Sequence, residues 1–250
     1  MKVCEEKIPP LLVFQEITEK NKLFADGIYW LNSGMSEEKR LMGYANICSE
    51  LLMTGQTLGE YLTDAVVYSK SPLFAKMVKE PSEQRTKALS YDIALIKKVV
   101  REYTSQNIKK ALAALPDATA DYSLLPDFDS GKFTLTADRL LKRAQKYGTG
   151  EFAKYKAFTF KENQLVPVDN IDPIRLTDLK NYELQRNQVI ENTLAFLNGL
   201  PAQNVLLYGD RGCGKSSTIK AILNEYEELR MVELPKSEIN GLPDLFGMLK

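Results

Sequence analysis

Histidine is absent from all 250 residues, which excludes histidine general bases, Ser-His-Asp triads and most transition-metal sites together. Any chemistry must come from carboxylates, lysine, arginine or backbone amides. Cysteine is scarce, and Cys4, Cys48 and Cys213 share no paired spacing. Neither a disulfide framework nor a zinc cluster is therefore expected, and a reducing compartment fits. No run approaches the roughly eighteen apolar residues of a membrane span, and the start Met1-Lys2-Val3-Cys4-Glu5-Glu6 lacks the apolar core of a secretory signal. A cytoplasmic location is expected. An excess of one charge is missing too: 33 Lys and Arg balance 33 Asp and Glu, so no whole-domain field attracts nucleic acid or an anionic membrane. Neither is expected as a partner.

What is present is a 44% apolar chain, long enough for one large domain or two ordinary ones. From about Pro10 to Tyr147 apolar residues recur at helical spacing, as in Leu89, Ile93, Ile96, Val100 and Tyr103. This predicts a mainly α-helical N-terminal domain over residues 1–147. Those stripes, and the cluster Leu51, Leu52, Leu58 and Leu62, are read as core. Breaks fall at Gly34, Pro72 and Pro81, and in the stretch from Pro116 to Gly131, where Asp117, Asp121, Asp127 and Asp129 crowd together. That stretch lacks the one-three-five spacing, central glycine and terminal glutamate of an EF-hand, so a solvated acidic linker is expected. Arg139, Lys142, Arg143 and Lys146 fall at i, i+3, i+4 and i+7 and predict a basic stripe opposite an apolar helix face.

Residues 148–181 read as hinge, β-hairpin and linker. Gly148-Thr149-Gly150 is the hinge, and Tyr155 to Val168 alternates with period two around Glu162-Asn163. A helix is expected from about Tyr182 to Leu197, with Ile190, Leu194 and Leu197 on one face and Gly199 at its end. Asn204-Val205-Leu206-Leu207-Tyr208 has the composition of a parallel strand buried on both faces. It runs into Gly209-Asp210-Arg211-Gly212-Cys213-Gly214-Lys215-Ser216, which is G-x-x-x-x-G-K-[ST] without departure.

That spacing has a mechanical basis. Glycines let the backbone curl so that successive N–H groups point inward, and the following helix, with Ile219, Ile222, Leu223 and Tyr226 on one face, adds its positive dipole end. Gly209, Asp210, Arg211, Gly212, Cys213, Gly214, Lys215, Ser216 and Ser217 are the candidate site, with ATP and Mg²⁺ as its ligands. Lys215 is placed to reach the β and γ phosphates, and the Ser216 hydroxyl to take one coordination position on Mg²⁺. Ser217 reads also as an ordinary helix residue. Cys213 stands between two glycines at a helix N-terminus, where thiolates are favoured; a small filler residue is the plainer reading.

Beyond the loop, Pro167-Val168, Asp172-Pro173-Ile174-Arg175-Leu176, Asp178-Leu179, Glu191-Asn192-Thr193, Phe196, Gly199-Leu200-Pro201-Ala202, Asn204-Val205-Leu206-Leu207, Leu223-Asn224-Glu225-Tyr226 and Leu242-Pro243-Asp244-Leu245 resemble an uncharacterised bacterial AAA+ family known only as a domain of unknown function. The resemblance covers about residues 165–250. It implies that Gly209, Gly212, Gly214, Lys215 and Ser216 are Walker A residues, and that residues 182–250 are the N-terminal portion of a P-loop ATP-binding domain. It also implies, by analogy, that Leu179 to Tyr182 touch adenine and that the complete protein forms a homo-oligomeric ring. The implied fold class is α/β in the C-terminal part, an incomplete strand-loop-helix-strand module behind a helical domain.

After the loop no apolar run ends in Asp or Glu; Glu233 lies inside the expected strand Met231 to Leu234, and Glu225, Glu227, Glu228, Glu238 and Asp244 sit in polar surroundings. Walker B, sensor and arginine-finger groups are expected beyond Lys250, so the chain reads as the front portion of a longer ATPase or a truncated product of its gene. Hydrolysis by this chain alone is not expected. Three functions fit: an AAA+ ATPase that moves a partner, a non-enzymatic nucleotide-gated module that binds another protein, and a loader-type nucleic-acid helper resting on the Arg139 to Lys146 stripe.

Overall fold

The computed structural model describes residues 11–19, 37–115 and 121–249; Cys4, Gly34, Pro116 and Asp117 lie outside them. The chain divides into two compact units, Met1–Gly150 and Glu151–Lys250.

The first unit is helical: α1 (Gln15–Glu19), α2 (Glu37–Thr54), α3 (Leu58–Val67), α4 (Pro72–Lys79), α5 (Glu83–Glu102), α6 (Ser105–Ala113) and α7 (Ala137–Tyr147). Its helices begin where the sequence supplies caps. Thr57, Ser71, Ser82, Thr104 and Thr136 precede α3 to α7, and each side-chain oxygen accepts an N–H of the following first turn. At Thr57 the return bond from its own N–H to Glu60 completes a capping box, and Pro72 opens α4 at a position needing no N–H donor.

Tyr44, Ile47, Leu58, Leu62, Phe74, Leu89 and Ile96 form the fully buried centre of one apolar cluster. The expected stripe of α5 is there, with Tyr103 packed against its edge. Leu52 departs from expectation: it is 71% exposed while Leu51 is buried, because the helix turns adjacent residues about 100° apart. Asp92 is wholly buried in the same core, where its carboxylate accepts the amides of Leu12 (2.8 Å), Val13 (2.7 Å) and Phe14 (3.1 Å). Burial raises its pKa, and the three amide donors offset part of that rise.

Among its described residues, 121–131, the acidic stretch exposes Asp121, Asp127 and Asp129 as expected of a solvated linker but is tied to the helical core through its backbone. Leu58 and Gly59 donate their amides to Asp129 O and Ser130 O, the Tyr44 hydroxyl donates to Pro126 O at 2.6 Å, and Asp127 pairs with Lys109 at 2.9 Å. Gly59 permits this approach, since a Cβ there would stand 2.6 Å from the Lys132 backbone. No cluster of metal-ligating side chains occurs among the described residues. In α7 the buried face is Ala137, Leu140 and Ala144; Arg139, Lys142 and Lys146 are exposed and Arg143 is half-buried, with its guanidinium 5.1 Å from the Tyr147 ring centre.

The second unit contains α8 (Glu151–Lys154), β1 (Ala157–Lys161), β2 (Gln164–Pro167), α9 (Glu183–Leu197), α10 (Lys215–Glu225), β3 (Met231–Glu233) and α11 (Leu242–Leu249). The predicted hairpin is present: β1 and β2 pair antiparallel across Glu162-Asn163, whose φ values of 51° and 57° make a two-residue turn. The expected strand at Met231 pairs parallel with β1, giving a three-stranded mixed sheet in the order β2-β1-β3. Ala157, Phe158 and Phe160 of the central strand are buried, as are Ala221, Ile222 and Leu223 of α10.

Three expectations fail here. Asn204 to Tyr208 pairs with no strand among the described residues, and Leu206 and Tyr208 are 83% and 88% exposed. An apolar run becomes a buried strand only through neighbours that accept its backbone hydrogen bonds and cover both faces. In α9 the buried residue is Val189 and not the Ile190, Leu194, Leu197 face; in α10 Ile219 is exposed. No helix among the described residues is long and apolar enough to cross a membrane.

Candidate functional site

α10 begins at the end of the glycine loop. Gly214, with φ 85°, is its N-cap, and Gly209 and Gly212 carry φ values of 139° and 86°, conformations open to glycine and strained for other residues. The loop folds on itself: Cys213 N–H donates to Asp210 O at 3.4 Å, and a Cβ on Gly209 would stand 3.1 Å from Cys213 Sγ. Lys215 Nζ is drawn across the loop, 2.9 Å from Gly209 O, 2.8 Å from Asp210 O and 3.3 Å from Cys213 Sγ. The first N–H groups of α10 have no acceptor within their own helix and carry its positive dipole end. One turn on, Thr218 returns its N–H and its hydroxyl to Gly214 O at 2.8 and 2.9 Å.

The far end of α10 is held in place. Lys156, at the entry to β1, donates to Leu223 O at 3.2 Å, and burial lowers its pKa. Arg175 Nη1 reaches Asn224 O at 3.1 Å, and Asn224 Nδ2 returns bonds to Asp172 O and Ile174 O. Cations on the terminal carbonyls suit the negative end of the helix. On the approach to the loop, Asn192 exchanges two 2.8 Å bonds with the backbone of Gln203, fixing where the 204–208 segment leaves α9.

Beside the loop is a cavity of about 300 Å³, the lower end of the range for small-molecule sites. Gly209, Asp210, Cys213, Gly214 and Lys215 line it; Arg211, Gly212, Ser216 and Ser217 do not. Arg211, Gly212 and Ser216 are exposed, and Ser217 is half-buried. A second wall is Leu179, Lys180, Asn181 and Tyr182, the residues named from the sequence by analogy. The remaining lining comes from Gln185, Arg186 and Val189 of α9, together with Leu207, Tyr208 and Thr218. Sequence reading missed these. Tyr182, Gln185, Arg186 and Val189 stand at i, i+3, i+4 and i+7, so helical spacing carried the signal, but attention to the bulkier Ile190 and Leu194 hid it.

The donors present suit a phosphate chain with its metal: backbone amides at a helix start, the Lys215 ammonium within the loop with Lys180 on the second wall, and the exposed hydroxyl of Ser216 in the first turn. The apolar side chains of Leu179, Val189 and Leu207 suit a flat ring system in place of further charge.

Two comparisons with known proteins give matches. Residues 153–250 match a family described as a protein of unknown function (DUF815). A stretch of 79 residues, 31% of this chain, is 35% identical to the replication factor C large subunit of Staphylothermus marinus. It spans 18% of that protein, and no solved structure matches the chain. Residues 153–250 are thus similar to a family without an assigned function, and a 79-residue stretch of the chain to part of a replication factor C subunit.

Proposed function

We propose that the second unit binds the phosphates of a nucleoside triphosphate, ATP with Mg²⁺, in the loop Gly209 to Ser216, as part of an AAA+-related module. The observation that carries this reading is Lys215, which lines the cavity with its Nζ held by Gly209 O and Asp210 O at the start of α10. The similarity to replication factor C supports an AAA+-related origin. Lys215 would neutralise the outer phosphates and Ser216 would hold Mg²⁺, which supplies charge neutralisation and orientation of the phosphate chain. The backbone amides of Gly214 to Ser216 would take the inner oxygens.

Turnover needs a carboxylate that orients water, and Asp210 is the one carboxylate lining the cavity. Its place inside the loop, on the side of the phosphates, fits poorly with that role. We therefore assign binding without hydrolysis to these residues. The apolar exposure of Phe196, Leu200, Leu206 and Tyr208 also favours a second reading, a nucleotide-gated module that docks another protein. Phosphate release tests the assignment common to both: saturable Mg-ATP binding that is lost in Lys215→Ala and brings no release supports it, and a steady rate that disappears in Lys215→Ala overturns it in favour of an enzyme. Failure of the wild-type chain to bind Mg-ATP would overturn both.

A further inference from the structure

Two consecutive non-glycine residues, Asn181 and Tyr182, hold left-handed backbone conformations with φ of 66° and 55°. They sit immediately before α9, where Tyr182 is the N-cap and contributes no side-chain cap bond. Asparagine tolerates this conformation, but tyrosine does not favour it, and a serine or threonine cap would begin the helix without strain. Such a conformation persists only where surrounding groups over-determine it, and strain of this kind gathers at ligand sites.

One side chain supplies the restraint. Arg186 Nη1 donates to Leu179 O at 2.9 Å and to Asn181 O at 3.3 Å, while the Arg186 amide donates to Tyr182 O at 2.9 Å. The turn so held forms the cavity wall facing Leu207 and the loop, and the Tyr182 side chain is 61% exposed at its rim. A wall fixed in advance loses less freedom when a ligand meets it.

We propose that Arg186 is a positioning residue that holds the Leu179 to Tyr182 turn in place for the nucleoside half of the ligand, so that the site distinguishes a nucleotide from a bare polyphosphate. The proposal rests on the phosphate-loop reading above. Phosphates are gripped by the loop and Lys215; base and sugar are met by the wall that Arg186 fixes.

The test titrates Mg-ATP and Mg-tripolyphosphate into the full chain, into Arg186→Ala, Arg186→Lys and Lys215→Ala, with helical circular dichroism recorded for each. Arg186→Ala is expected to weaken ATP about tenfold, as loss of two hydrogen bonds would, and to leave tripolyphosphate within about twofold, because the loop amides are untouched. Arg186→Lys, retaining one cationic donor, recovers part of the loss. If Arg186→Ala loses helical signal, Arg186→Lys decides, with an intermediate loss confined to ATP as the supporting result. Equal weakening of both ligands, or wild-type ATP affinity in both Arg186 variants, overturns the proposal while leaving the phosphate-loop reading intact. Wild-type affinity in Lys215→Ala, or no binding by the unaltered chain, overturns that reading and this proposal with it.

Discussion

Large apolar side chains on α2 to α6 meet one another in the unit that ends at Gly150, whereas in the unit beginning at Glu151 the apolar Phe196, Leu200, Leu206 and Tyr208 face solvent. The difference follows from how each kind of element satisfies its backbone. A helix closes its hydrogen bonds internally and needs only an apolar neighbour, so capped helices of modest length complete a core among themselves. A strand must borrow acceptors from a second strand. β1 finds them in β2 and β3; the segment from Asn204 to Tyr208 does not. The glycine loop nevertheless takes its curled form, because its restraints are local: three glycines at positive φ, Lys215 across the loop carbonyls, and a helix anchored at its far end by Lys156 and Arg175.

The strongest way to break this comparison is Asp92→Ala. It leaves three buried amides without an acceptor and should destabilise the helical unit by about 3 kcal/mol. Chemical unfolding followed by circular dichroism measures the loss, and unchanged Mg-ATP affinity in the folded variant is expected because no cavity residue is touched. Lys215→Ala makes the reverse cut. Loss of a charge-assisted contact of about 2 kcal/mol should weaken Mg-ATP roughly thirtyfold without moving the unfolding transition of the helical unit.

A smaller effect sharpens the helical side. Burial pushes the Tyr44 hydroxyl to about 12, and it donates to Pro126 O. A tyrosine whose folded pKa lies above its unfolded value of about 10 gives stability that is fully present below that value. The stability is lost as the pH rises towards 12. One tyrosine should therefore ionise last in an absorbance titration, and Tyr44→Phe should remove that step while lowering stability by about 1 kcal/mol. Smallest of all is Leu206→Ser, expected to change the thermal stability of this chain by less than about 0.5 kcal/mol, as at any exposed position. A large loss would show that the 204–208 segment is buried after all.

What could be read from the sequence followed the range of the forces involved. The hairpin was legible because Glu162-Asn163 separates two alternating runs, and α5 because Leu89, Ile93, Ile96 and Val100 repeat at helical spacing. The loop was legible because its glycines and lysine have fixed offsets. Asn204 to Tyr208 misled because apolar composition reports what a strand would need and not whether its neighbours are there. The acidic stretch misled because its backbone, through Pro126, Asp129 and Ser130, is what the core uses, while its side chains suggested solvent. In the left-handed pair Asn181-Tyr182 only the asparagine hinted at positive φ; the tyrosine and the Arg186 tie had no sequence signature.

Amide hydrogen exchange with and without Mg-ATP tests the central claim most directly, because it reports where the ligand acts. The account predicts slowed exchange confined to residues 207–218 and 179–186, with the helices before Gly150 unchanged and the slowing absent in Lys215→Ala. Protection that falls on the helical unit, or that persists without the Lys215 ammonium, would contradict it.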